Sequence, residues 1–204
     1  MEKTTKKTTK KAEATKTTSK KAVAEKVEKP AEVEITKKIF DLAEEMTEVL
    51  INNWNSVVSP DDIVFNLGDF VWSGSWNTVL EKLNGHIYLI WGNHDHKDFK
   101  DSYLNHLEGV YDQLTLSIDD KIVYINHFPY LCFPKNHYQL FGHVHLSQNK
   151  NEGEDFERCS HLLPNQYDVG VDLNDFKPIS WKQIWERLDY QIKNNVNCLY
   201  WIGN

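Results

Sequence analysis

Four short apolar runs give this chain its clearest pattern of hydrophobic and polar positions. They cover residues 63–67, 87–91, 121–126 and 138–141, and a polar residue follows each of them, either directly or after a single glycine. Short length, β-branched and aromatic side chains, and nearby glycine or turn residues predict that these runs are buried strands. A helix predicted over residues 76–83 separates the first two runs, so this part of the chain predicts a βαβ unit with parallel strands.

Helical spacing of apolar residues is clearest in two segments. Asp41 and Glu44 match a capping box, which predicts a core-facing helix that begins at Asp41 and ends near Asn53. Ser180 is placed to cap a final helix. The apolar residues on one face of the first helix are Leu42, Met46, Val49, Leu50 and Trp54.

Three further segments have the character of strands. Residues 110–118 alternate in polarity and are joined to residues 121–126 by Asp119-Asp120, which predicts a β-hairpin. Residues 167–171 predict a late strand, and the short alternation over residues 33–35 predicts a small strand near the start of the domain.

The first 32 residues differ in composition from the rest of the chain. Residues 1–30 contain ten lysines and four glutamates, a net charge of +6, which leaves −13 for the remainder of a chain whose total is −7. The segment lacks aromatic residues, so we expect a disordered tail followed by one domain over residues 33–204. A solvated tail and a loose binding site for nucleic acid or another polyanion both fit. The candidate lysines are Lys6, Lys7, Lys10, Lys11, Lys20 and Lys21.

Several protein classes do not fit this composition. No apolar run reaches the roughly 18–20 residues of a membrane span, and the N-terminus lacks the apolar segment of a secretory signal. Cys132, Cys159 and Cys198 are widely spaced and show no CxxC pattern, so neither a disulfide framework nor a zinc ribbon is indicated. We expect a cytoplasmic protein without membrane partners.

The polar residues after the apolar runs are the candidate chemistry. They are Asp69, Asn93 with His94, His127, and His143 with His145. Strand ends in α/β sheets are where ligands bind, and parallel strands bring their ends to one edge. Carboxylate, amide and imidazole groups together suit Mn²⁺, Fe or Zn²⁺, and the absence of cysteine argues against a structural zinc site.

The ordered motifs GDF, GNHD, NHFPY and GHVH resemble the calcineurin-like metallophosphoesterase family. The similarity runs from about Ile39 to Trp185 and includes DVGVDLNDFKPISWKQI near the end. It is closest to small bacterial and phage phosphoesterases, so a phage origin is one expectation. The resemblance implies an α/β fold, a four-layer α-β-β-α sandwich of two stacked sheets, and a dinuclear metal centre acting on a phosphate-ester substrate.

The resemblance also implies a role for each candidate residue. Asp69 would bridge two metals, Asn93, His127 and His143 would complete one site, and His145 would belong to the other. His94, with Asn93, would contact the phosphate, and His94 would protonate the leaving oxygen. Two such cations activate a bridging water and stabilise an in-line displacement at phosphorus.

One family motif is missing from this sequence. The family begins with a strand that ends in Asp-x-His, but no Asp-x-His occurs here and the first histidine is His86. The second metal site would keep only Asp69 and His145, and the first strand would be absent or replaced. Two functions therefore stay open: a phosphoesterase, or a catalytically impaired member that acts as a binding or structural protein through its basic tail.

The remaining polar residues of interest have weaker patterns. His86, His96 and His106 are expected to be structural or exposed to solvent, and His137 and His161 flank segments that could meet substrate. Asp95 is expected to hold its loop through backbone hydrogen bonds rather than to bind metal.

Overall fold

The computed structural model describes residues 30–71, 76–95, 99–146 and 159–203. The chain divides into two units, Met1–Phe40 and Asp41–Asn204, and both β-sheets belong to the second. Residues 1–29 lie outside the described ranges, and with them the six candidate lysines. Polyanion binding by the tail and the division of the chain at residue 32 therefore stay predictions.

Helix α1 spans Pro30–Asn55 and is longer than the sequence pattern predicted. Proline is favoured in the first turn of a helix, because its missing N–H has no intrahelical partner there. Asp41 lies inside this helix, so the prediction that it caps the N-terminus is wrong. The small strand predicted over residues 33–35 is also wrong, since those residues are helical. Three alternating residues are too few to oppose a surrounding run of good helix formers.

Three of the five residues on the apolar face predicted for this helix are exposed and do not face the core. Leu42, Met46 and Val49 are 55%, 60% and 56% exposed, whereas Ile51 is buried. Trp54 is half-buried and donates its indole N–H to a carbonyl in the turn before the second strand, at 2.9 Å. The contacts of α1 with the rest of the domain therefore come from its last two turns, among them those of Trp54 and Asn55, and not from the Leu42–Met46–Val49 stripe.

The first sheet is a three-stranded parallel sheet in the order β1-β2-β3. Helix α2, Trp76–Leu80, connects β1 to β2, which confirms the predicted βαβ unit. A 3₁₀ helix, Asp101–His106, precedes β3. The strands are β1 Ile63–Asn66, β2 His86–Ile90 and β3 Gly109–Tyr111.

The second sheet has four strands in the order β4-β5-β6-β7. Strands β4 and β5 are antiparallel, and the other neighbours are parallel. The strand predicted over residues 110–118 divides at Asp112, because its first part pairs with β2 as β3 and its second part is β4. The strands are β4 Gln113–Ile118, β5 Lys121–Asn126, β6 His137–Phe141 and β7 Gln166–Asp168.

The two sheets share one hydrophobic core. Leu67 and Ile90 from the first sheet's segments pack in it with Val123 and Phe141 from the second. Helix α3, Trp181–Asn194, adds buried side chains to this core and begins with the predicted cap, a capping box between Ser180 and Gln183. A 3₁₀ helix, Val171–Leu173, and a short helix α4, Tyr200–Gly203, complete the described elements.

The predicted α/β fold with two sheets and flanking helices is confirmed. Within the described residues, no helix is both long enough and apolar enough to span a bilayer.

Candidate metal centre

The loops that follow β1 and β2 touch each other through two glycines. Gly68 has φ +96°, and a Cβ there would lie 2.5 Å from the Gly92 nitrogen and 2.6 Å from His127 Nδ1. A Cβ on Gly92 would in turn overlap the carboxylate and backbone nitrogen of Asp69. Only glycine permits this approach, and it places the Asp69 carboxylate against the loop that carries Asn93.

Asp95 holds the same two loops together. It is 1% exposed, and its carboxylate accepts backbone N–H groups from Gly92, Asp69 and Phe70, each at 2.8 Å. The structure thus gives Asp95 the loop-holding contacts expected from the sequence. Three hydrogen bonds to a buried carboxylate stabilise a loop conformation in which Asp69 itself has φ +53°.

His127, directly after β5, is fixed in both position and tautomer. Its ring is 2% exposed, and Nδ1 lies 2.6 Å from the Leu67 carbonyl, to which it donates. A neutral ring bonded in this way presents the lone pair of Nε2. That atom lies 3.0 Å from Asn93 Oδ1 and 3.4 Å from Asp69 Oδ2.

His143 joins this set from the turn after β6. The Gly142 N–H donates to the His127 carbonyl at 3.0 Å, so the ends of β5 and β6 lie side by side. His143 has φ +70° and His145 has φ +49°, and both are strained for residues with a side chain. Val144 between them is buried in the core, which leaves His143 beside the His127 ring at a centroid distance of 5.0 Å.

The donor set fits a divalent cation. One ligand atom from each of Asp69, His127 and His143 lies within 4.8 Å of the others, and Asn93 adds its oxygen beside His127. With His127 neutral, its Nε2 lone pair lies 3.0 Å from Asn93 Oδ1 and 3.4 Å from Asp69 Oδ2, and a cation would stabilise acceptors placed this close together. The bond from His127 Nδ1 to a carbonyl is the outer contact that metal-binding histidines usually make.

His94 and His145, the other predicted site residues, lie at the margin of this set. His94 is exposed, and its backbone N–H donates to Asp69 Oδ1 at 2.8 Å. His145 is 67% exposed and pairs through Nδ1 with Asp172 Oδ2 at 2.9 Å. Within the described residues, the metal-ligand group contains Asp69, His127 and His143 but not His145.

Two other histidines begin strands, at the ends away from the centre. His86 begins β2 and pairs with Glu108 at 2.7 Å, and His137 begins β6, at the strand end opposite His143. His137 is therefore not placed to meet a substrate at this centre. His106 and His161 are exposed, and His96 lies outside the described residues.

Three residues near the centre were not singled out from the sequence. Asp172 pairs with His145, Phe128 contacts both His127 and His143, and buried Gln139 donates to the Phe128 carbonyl. Two of them could have been found from the sequence, because Asp172 lies in the DVGVD segment and Phe128 in the NHFPY motif. A glutamine in a strand gives no such signal before its partners are known.

Comparison with known proteins agrees with this geometry. The family model described as calcineurin-like phosphoesterase matches residues 37–195. An uncharacterised protein of Methanocaldococcus jannaschii is 48% identical over 60 residues, which are 28% of this chain and 34% of that protein. The chain thus spans about a third of the length of the curated relative that it matches.

Two solved structures are similar. A protein of unknown function from Aquifex aeolicus is 24% identical with a TM-score of 0.53, over 74% of this chain and 91% of that one, and supports the fold alone. A novel archaeal phosphodiesterase is 22% identical with a TM-score of 0.35, over 53% of this chain and 67% of that one. Since the family model covers most of the sequence, the chain belongs to the calcineurin-like phosphoesterase family.

Proposed function

We propose that this protein is a metal-dependent phosphoesterase that hydrolyses a phosphomonoester or phosphodiester with a metal-activated water. The convergence of Asp69, Asn93, His127 and His143 on one point carries the proposal. These residues follow four different strands, and only the fold brings their oxygen and nitrogen donors together. A mixed set of this kind suits Mn²⁺, Fe or Zn²⁺.

The side chains of this centre have separable roles in the proposal. Asp69, Asn93, His127 and His143 hold the cation, which when bound supplies Lewis-acid polarisation and a water of lowered pKa. His94 is exposed, and its backbone is fixed by the Asp69 carboxylate. From there its imidazole contacts the phosphate and donates a proton to the leaving oxygen, the role of a general acid.

The second cation site is the weaker part of the centre in this proposal. It retains Asp69 and His145 from the family pattern, and His145 is exposed and bonded to Asp172. That carboxylate orients the imidazole, as outer carboxylates do for metal-binding histidines. We therefore expect one cation to bind tightly and a second to bind only at higher concentration.

Metal binding and turnover can be tested separately. Titration with Mn²⁺ gives stoichiometry, and a chromogenic phosphodiester such as bis(p-nitrophenyl) phosphate reports hydrolysis. His127→Ala should abolish both, whereas His94→Ala should keep Mn²⁺ binding and lower turnover about 10²–10⁴-fold. His86→Ala is the matched control, because His86 is exposed at the opposite end of β2 and pairs with Glu108. Equal loss in the control and in His127→Ala would contradict the assignment.

The alternative is a binding or structural protein that has lost turnover. The missing Asp-x-His motif favours it, since two ligands of the second site have no counterpart in this sequence. One bound metal or none, with no hydrolysis at any metal concentration, would support this alternative. Salt-sensitive binding to DNA or RNA, lost on deletion of residues 1–32, would then assign the function to the tail.

A further inference from the structure

Phe128 directly follows His127 and lies against the metal-ligand set. Its ring centroid is 4.8 Å from that of His127 and 4.5 Å from that of His143, both in edge contacts. The residue is nevertheless 46% exposed. The edge of the centre therefore includes an aromatic ring that is exposed to solvent and in contact with the imidazoles of His127 and His143.

The backbone around Phe128 is held on both sides. Its N–H donates to Asn126 Oδ1 at 2.7 Å, and its carbonyl accepts from Gln139 Nε2 at 3.0 Å. Gln139 Oε1 in turn accepts the Tyr130 N–H at 2.9 Å. These bonds and the restricted φ of Pro129 fix the backbone that carries the ring.

The amide that holds this loop is itself buried. Gln139 and Gln166 are both 0% exposed, and Gln166 Nε2 donates to Gln139 Oε1 at 2.6 Å and to the Tyr130 carbonyl at 2.9 Å. Buried polar groups are destabilising unless they are hydrogen-bonded, and these two glutamines use their bonds to hold the loop. An exposed phenyl ring on so rigid a loop is preorganised for contact with a ligand.

We propose that Phe128 is a specificity-determining residue that packs against the organic group of the substrate and favours phosphate esters with an aromatic group. A phosphoryl group at Asp69, His127 and His143 would place its substituent beside the ring that borders both imidazoles. Ring-to-ring contact adds to affinity there, whereas a small polar alcohol gains nothing from the phenyl face. The inference rests on the proposed phosphoesterase function, but its test does not need turnover.

Phosphonates supply the test because their carbon–phosphorus bond is not hydrolysed. With the full-length protein in Mn²⁺, phenylphosphonate should bind about 2–10-fold more tightly than methylphosphonate. Phe128→Ala should remove that preference while the affinities for methylphosphonate and Mn²⁺ stay within about twofold. Phe128→Tyr should restore it. Leu131→Ala is the control, since Leu131 is 77% exposed in the same loop and should leave the preference unchanged.

Several results would overturn the inference. These are a preference that survives in Phe128→Ala, equal weakening of both phosphonates together with Mn²⁺, or no binding of either phosphonate by the unsubstituted protein. Failure of the phosphoesterase function looks different. The unsubstituted protein would then hydrolyse neither aryl nor alkyl esters, although its Phe128-dependent preference for phenylphosphonate remained.

Discussion

Asp168 is a carboxyl group that the fold buries completely at the end of β7. It is 0% exposed, and its Oδ1 accepts the Gly170 N–H at 2.8 Å. Its Oδ2 is buried and has no hydrogen-bond partner among the described residues. Burial raises the pKa of Asp168 from 3.8 to about 7, and the nearby charge of Asp172 adds to this, while backbone N–H groups and His145 oppose it.

This pKa makes stability depend on pH in a defined direction. The folded protein holds the Asp168 proton more tightly than the unfolded chain does. The protonated carboxyl therefore contributes its full stabilisation of the folded state below pH 3.8, and this stabilisation is lost as pH rises through about 7. At about 1.4 kcal/mol per pK unit, the difference between 3.8 and about 7 corresponds to about 4 kcal/mol. Above pH 8 the ionised carboxylate therefore destabilises the folded protein by about 4 kcal/mol relative to its protonated form.

Asp168→Asn removes the ionisation and keeps an oxygen for the Gly170 N–H. Its new amide N–H₂ lies where Oδ2 has no partner, which costs about 1–3 kcal/mol. The variant should thus be about 1–3 kcal/mol more stable than the unsubstituted protein at pH 8 and equal or less stable at pH 4. Urea unfolding followed by tryptophan fluorescence at the two pH values measures both differences.

A surface carboxylate provides the control for this experiment. Asp189 pairs with Lys193 at 2.6 Å on the exposed side of α3, and Asp189→Asn should change stability by less than about 1 kcal/mol at either pH. A difference between Asp168→Asn and the unsubstituted protein that is the same at pH 4 and pH 8 would refute the reasoning, because no proton would then be linked to folding at this site.

Five further substitutions, two of them controls, test the construction of the centre and of α1. Asp95→Asn removes the charge that accepts three backbone N–H groups, so urea unfolding should show a loss of at least about 3 kcal/mol and Mn²⁺ titration a fall of about 10-fold or more in affinity. Gly68 has φ +96°, and a Cβ there would lie 2.5 Å from a backbone nitrogen, so Gly68→Ala should lower the free energy of unfolding by more than about 2 kcal/mol. Gly142→Ala is its control and should lower it by less than about 1 kcal/mol, because the nearest atom to a Cβ there is at 3.7 Å. Equal losses in the two variants would contradict the close approach of the loops. Ile51→Ala should lower the free energy of unfolding by about 2–5 kcal/mol, and Met46→Ala should lower it by less than about 0.5 kcal/mol. The reverse order would mean that α1 packs on the core through the face predicted from the sequence.

The strands that carry the metal donors were predictable because their signals are local. The predicted ends of β1, β2, β5 and β6 agree with the structure to within one residue. Each of these strands is a short apolar run with a polar or glycine boundary, and such a boundary does not depend on distant partners. The order Asp69, Asn93, His127, His143 could therefore be placed at strand ends before the fold was known.

The errors arose where distant contacts decide the structure. Residues 110–118 alternate without interruption, but β3 pairs in parallel with β2 while β4 pairs with β5, and nothing local separates the two. The helical spacing of Leu42, Met46 and Val49 defines a face of α1 without stating what covers it. The structure leaves those three side chains exposed and buries Ile51 instead.

Convergence of the four donors depends on contacts that all lie between β1 and the turn after β6. The loops of β1 and β2 meet through Gly68, Gly92 and Asp95, His127 bonds to the Leu67 carbonyl, and the end of β6 bonds to the His127 carbonyl. None of these contacts requires a residue before Ile63. In the proposed centre, the absence of Asp-x-His from this sequence would remove donors from the second cation site and leave the bonds that shape the first one. For this reason metal binding and turnover can fail separately in this protein, and a tight first cation is expected even if hydrolysis is weak.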